Sequence, residues 1–145
     1  MKADTRKETE QKIKDFFRPK DEVIFVYLFG SFVNKERYRD IDVAVYMDSI
    51  PDLISQGEMQ SALDELFEIN IDLVILNELP NKNPVFVYEI LSKGKAVLNK
   101  NADIHTVYKS KAYQHYFDTA YLRKQFQDAF EKRMKTKKFG ERDYE

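Results

Sequence analysis

Seven consecutive apolar residues, Val23 to Phe29, stop at Gly30-Ser31, and an alternating segment opens shortly afterwards at Asp40. A run this short, wholly apolar and rich in β-branched and aromatic residues predicts a strand covered on both faces. The alternation of Ile41, Val43 and Val45 predicts a second strand from Asp40 to Tyr46, with Asp40 and Asp42 on one face. The connection between the two is too short for a packed helical crossover, which makes the pair antiparallel. Whatever else the chain does, the end of the first strand then lies beside the start of the second.

The flanking segments supply helices and a third strand. Thr5-x-x-Glu8 has the form of a capping box, and Ile13, Phe16 and Phe17 follow at helical spacing before Arg18-Pro19, predicting a helix over 5–18. Met59, Ala62, Leu63, Leu66 and Phe67 form an amphipathic stripe, predicting a helix around 56–67 after a turn over Asp48 to Pro51. Ile71 to Leu76 predicts a strand with Asp72 as its one charged residue. A helix between the second and third strands implies that these two run parallel. Asn77 to Asn83 reads as a turn-rich link, Pro84 as the first position of a helix reaching Ser92, Gly94 as its C-terminal cap, and 95–98 as a brief fourth strand. Apolar residues recur at helical intervals over 103–138. One helix of that length would extend about 54 Å at 1.5 Å per residue, so it is expected to bend, break or project. The charged stretch from Lys135 to Glu145 reads as a loose tail.

The resulting class is α/β (α+β): a small mixed sheet flanked by helices, with C-terminal helices. The 145 residues suit one domain over 1–145, with a core at about 5–98 and a helical extension at about 103–138. A chain of this size buries roughly 68–70% of its unfolded surface. A net charge of -1, from 24 basic and 25 acidic residues, excludes a global field that would gather nucleic acid or an anionic membrane. The absence of cysteine excludes disulfides and thiolate metal sites and points to the cytoplasm. No apolar run approaches the ~20 residues of a membrane span, and the N-terminus has no signal-peptide pattern.

These placements gather a site. Gly30 and Ser31 end the first strand, and Asp40, Asp42 and Asp72 open the second and third at the same sheet edge. Three carboxylates brought together repel and raise one another's pKa unless a cation neutralises them. Hard oxygen ligands without His or Cys suit Mg²⁺, which takes one or two carboxylates and completes its shell with water and phosphate. Gly30 lets backbone approach a phosphate, and the Ser31 hydroxyl can donate to a phosphate oxygen. The set suits phosphoryl or nucleotidyl transfer. Lys35, Arg37 and Arg39 fit a solvated loop better than a phosphate clamp. His105 and His115 lack the spacing of a helical metal pair and read as packing residues. The aromatic series through Tyr108, Tyr113, Tyr116, Phe117, Tyr121, Phe126 and Phe130 reads as helix packing, with a partner surface as the alternative.

The order Gly30-Ser31, Asp40-Ile41-Asp42, Asp72 resembles the signature of the polymerase-beta-like nucleotidyltransferase superfamily. The chain length and the segment Tyr88-Glu89-Ile90-Leu91-Ser92-Lys93-Gly94-Lys95 resemble its minimal nucleotidyltransferase family, many of whose members are antitoxins paired with HEPN-domain ribonuclease toxins. The likeness spans residues 23–98. It departs from the family pattern at Val33-Asn34-Lys35-Glu36, where Ala-Arg-Gly-Glu is common, and at Arg39, where Ser often precedes the first Asp. The resemblance implies a nucleotidyltransferase fold in which Asp40 and Asp42 bind Mg²⁺ with the triphosphate of ATP, and Gly30 and Ser31 hold phosphates. Asp72 then completes a second metal site or helps deprotonate the attacking hydroxyl. It further implies AMP transfer to a tyrosine of a HEPN toxin. Transfer to a small molecule such as an aminoglycoside, and toxin binding without catalysis, are the alternatives.

Overall fold

The computed structural model describes residues 2–136, with side chains from Thr5 onward. The elements are α1 (Lys2–Phe17), β1 (Val23–Phe29), α2 (Ser31–Asn34), β2 (Asp40–Met47), α3 (Leu53–Leu66), β3 (Asn70–Ile75), α4 (Leu79–Lys82), α5 (Pro84–Lys93), β4 (Lys95–Asn99) and α6 (Ala102–Thr136). They build one mixed sheet in the order β3-β2-β1-β4. β1 is antiparallel to both β2 and β4, and β2 is parallel to β3, as the connection lengths require.

The central position of β1 explains its unbroken apolar sequence. On one face Val26 and Leu28, with Ile41, Val43 and Val45 of β2, are sealed by Ile13 and Phe17 of α1 and Met59 and Leu63 of α3. On the other, Phe25, Tyr27 and Ala44 meet Val87, Ile90 and Leu91 of α5 and Tyr108 and Ala112 of α6. Each large side chain so buried contributes about 1.5–3 kcal/mol. β3 is an edge strand, and α3 covers it with an amide. The Gln60 side chain donates to the Ile71 carbonyl and accepts from the Leu73 N–H at 3.2 Å. That pairing blunts an edge otherwise open to another chain.

Several boundaries move from the sequence expectation. α1 begins at Lys2, so the Thr5–Glu8 pattern lies inside the helix and does not cap it. α3 begins at Leu53 because Asp52 caps it, its carboxylate accepting from the Ser55 N–H at 2.7 Å. β3 spans Asn70–Ile75, and β4 reaches Asn99. The segments read as loop at 31–34 and 79–82 each close one short helical turn, a length too brief for periodicity to reveal. Pro84 opens α5 as expected, and the Gly94 N–H bonds the Ile90 carbonyl at 2.9 Å to close it.

In place of the C-terminal helices expected over 103–138 stands one unbroken helix of 35 residues, about 52 Å long, which projects and does not break. Its buried residues are Tyr108 and Ala112; Tyr113 and Tyr116 still pack on Tyr88 of α5, and from Tyr121 to Thr136 every side chain but the half-buried Arg123 is exposed. Lys135 and Thr136 continue the helix, and the rest of the expected tail lies outside the described residues. No helix among those residues is long and apolar enough to cross a membrane.

Candidate active site

β1 leaves the sheet at Gly30, which adopts φ 77° and ψ -153°. Positive φ disfavours a side chain there, and a second constraint adds to it: a Cβ on Gly30 would collide with the Asp42 Oδ2 atom and displace that carboxylate. Glycine therefore lets the strand end turn while the carboxylate rests against it. The Gly30 carbonyl accepts from the N–H groups of Val33 (3.1 Å) and Asn34 (3.0 Å) and from the Asn34 side chain (3.3 Å). Asn34, one of the departures from the family pattern, thus folds back to brace the turn. Ser31 follows directly, half-buried at the first position of α2.

Register brings the carboxylates together. Asp42 pairs with Phe29 on one side and with Asp72 on the other, while Asp40 pairs with Asn70. Asp42 is half-buried and Asp72 is exposed. Burial, then repulsion by Asp72, a hydrogen bond to Asp72 and a weaker repulsion by Asp40 push the Asp42 carboxyl up to about 6. Asp72 also accepts a hydrogen bond from the Asn70 amide at 3.1 Å. Among the described residues no three His, Cys, Asp or Glu side chains form a preassembled metal cage. The closest association is the Asp42–Asp72 pair, with Asp40 two positions along the same face. This donor set fits Mg²⁺: a carboxylate crowded into holding a proton near neutrality is one that a hard cation relieves, and Mg²⁺ needs few protein ligands.

Arg6 is a contributor that sequence reading missed. From α1 its guanidinium donates to the carbonyls of Phe32, Lys35 (2.6 Å) and Glu36 (2.6 Å). It also lies 5.1 Å from the Phe32 ring centroid and 4.6 Å from that of Tyr38. One cation thus closes the loop that joins Gly30 to Asp40. A lone Arg in a charged helix carries no sequence signal for this role. Lys35, Arg37 and Arg39 are exposed, in keeping with a solvated loop.

The histidines stand apart from this chemistry. His105 packs on Phe25, and its ring nitrogens bond the Tyr27 hydroxyl at 2.7 Å and the Asn99 amide at 3.1 Å. Burial lowers its pKa. His115 borders a cavity of about 650 Å³ between α4 and α6, reaching Tyr46 and Asn77 at the end of β2 opposite Asp40. The aromatic series divides: Tyr108 is core, Tyr116 stacks on Tyr88 at 3.9 Å between centroids, and Phe126 is exposed.

The family model described as Polymerase beta, Nucleotidyltransferase matches residues 11–103. Solved structures share the fold. A toxin–antitoxin with AMP-PNP is 24% identical, with a TM-score of 0.70, over 83% of this chain and 97% of that chain. A tri-AMPylated Shewanella oneidensis HEPN toxin in complex with MNT antitoxin is matched at 24% identity and a TM-score of 0.69, over 86% and 98%. The toxin-antitoxin MntA-HepT is matched at 22% and 0.68, over 86% and 97%. No curated protein matches the sequence.

Proposed function

The chain belongs to the polymerase beta nucleotidyltransferase family, and from that premise we propose that it is a Mg²⁺-dependent transferase moving AMP from ATP to a tyrosine of a HEPN ribonuclease toxin, as that toxin's antitoxin. The observation that carries the chemistry is the register Phe29–Asp42–Asp72, with Gly30 backed against Asp42. The likeness to solved complexes of HEPN toxins with their antitoxins, one toxin being tri-AMPylated, supports the choice of partner.

In this reading Asp40 and Asp42 hold Mg²⁺ together with the triphosphate, and Gly30 and Ser31 receive phosphate oxygens. When bound, the cation offsets charge on the attacking and leaving oxygens. Asp72, exposed beside Asp42, takes the proton of the tyrosine hydroxyl. The phenolic oxygen then bonds to the α-phosphorus as the bond to the bridging oxygen breaks and pyrophosphate leaves. The reading treats 1–145 as one domain acting in the cytoplasm, with the core at about 5–98 carrying the chemistry and 103–138 serving as the helical extension.

The test supplies Mg²⁺, ATP labelled at the α-phosphate and the co-expressed HEPN toxin. Label is expected on the toxin with wild-type protein, and none with Asp40→Ala plus Asp42→Ala, which also loses neutralisation. Full neutralisation by the double variant would show that binding suffices and defeat the enzymatic reading. Faster labelling of a small hydroxyl compound than of the toxin would redirect it to small-molecule transfer.

A further inference from the structure

The side of α6 that packs on the body is marked by Tyr108 and Ala112. Phe126 follows Tyr108, and Phe130 follows Ala112, by eighteen residues, which is five whole turns at about 3.6 residues per turn, so each pair faces the same way. Leu122 and Met134 fall on the same side. The packing face therefore continues past the body it was packed on, and there Leu122 is 55%, Phe126 75%, Phe130 52% and Met134 51% exposed. The cavity of about 650 Å³ lies along the first half of α6, before the overhang, and its lining there includes Ile104, Val107 and His115 with Asp103, Lys111 and Asp118. A contiguous apolar strip of this extent on a helix marks an interaction surface.

Charge selects the occupant. By the same helical geometry, the charged residues within the overhanging face are Arg123 and Arg133, while Asp128 and Glu131 turn away from it. The Arg123 guanidinium donates to the Tyr116 carbonyl at 3.1 Å and to the Thr119 hydroxyl, and sits 4.3 Å from the Tyr116 ring centroid, none of them anionic. A second copy of this chain brings no carboxylate of this face to Arg123, because Asp128 and Glu131 turn away from it, which disfavours self-pairing.

We propose that the overhanging face of α6 is where the toxin docks, receiving an apolar segment that bears a carboxylate against Arg123. The inference rests on the antitoxin reading for its partner. Phe126→Glu and Leu122→Glu, both at exposed positions, are expected to weaken toxin affinity by about thirtyfold or more while ATP affinity and the melting temperature stay at wild-type values. Arg123→Glu should weaken binding and flatten its salt dependence. Unchanged toxin affinity in Phe126→Glu would overturn the proposal. So would a wild-type dimer in sedimentation that Phe126→Glu makes monomeric without loss of toxin binding, since a second copy would then own the face. The Asp40→Ala plus Asp42→Ala protein separates the two readings: tight toxin binding by it, with no AMP transfer by wild type, sinks the enzymatic reading and leaves the docking face standing.

Discussion

Asp42→Asn is expected to make the protein more stable and inactive. The Asp42 carboxyl rises from 3.8 to about 6 in the folded protein, so ionising it there costs free energy that the unfolded chain does not bear. Two pKa units correspond to about 3 kcal/mol for a fully buried group; the partial exposure of Asp42 reduces this to about 1 kcal/mol after solvent screening. The sign follows from proton binding. Between about pH 4 and pH 6 the folded state binds more protons at this site than the unfolded state, so wild-type stability falls as pH rises through that window. Asparagine keeps the shape, donates to Asp72 as the protonated carboxyl does, and never ionises. In EDTA at pH 7 the variant should melt about 3 °C above wild type, and the gap should shrink at pH 4. Mg²⁺ at ten times its dissociation constant should then stabilise wild type by about 1.4 kcal/mol and the variant far less, reversing their order. Thermal unfolding followed by circular dichroism reads all three conditions. A variant no more stable than wild type at pH 7, or a gap of equal size at pH 4, would refute the assignment of this strain to an ionised Asp42.

Gly30→Ala sets a methyl group against Asp42 at positive φ; strain of about 1–3 kcal/mol and a fall in AMP transfer of about a hundredfold are expected with the far-ultraviolet spectrum unchanged, and a wild-type rate would contradict the close approach. Arg6→Ala releases three carbonyls and two ring faces; urea unfolding should register a loss of about 1–2 kcal/mol, with KM for ATP rising more than kcat falls. Arg6→Lys should recover only part, because an ammonium cannot span the three carbonyls as the guanidinium fork does. Tyr108→Phe removes the 2.7 Å hydrogen bond to the Leu76 carbonyl inside the core; a cost of about 1–2 kcal/mol in urea unfolding with unaltered AMP transfer is expected, since Tyr108 packs far along β2 from Asp42.

Much of the fold was legible because it is local. The apolar run at Val23–Phe29, the alternation after Asp40 and the stripe from Met59 to Leu66 each report which side of an element meets the core, and each element formed where its pattern stood. The short turns at 31–34 and 79–82 escaped because four residues complete barely one period. The Asp52 cap escaped because the apolar stripe begins one and a half turns inside α3, and the N-terminal end of that helix carries Leu53 and Ile54 in the open.

What the sequence by itself determined is the reversal of the chain between Phe29 and Asp40 and the two-residue period that puts Asp40 and Asp42 on one face. Both follow from connection length and strand geometry, which need no distant partner. Only the tertiary structure decided that Asp42, and not Asp40, lies level with Asp72, because register between strands separated by a helix is set by how α3 packs on the sheet. It likewise decided that Arg6 closes the loop from another element and that α6 runs past its own support. A sequence pattern records which face of an element is apolar; which residues meet across elements depends on the packing of the whole.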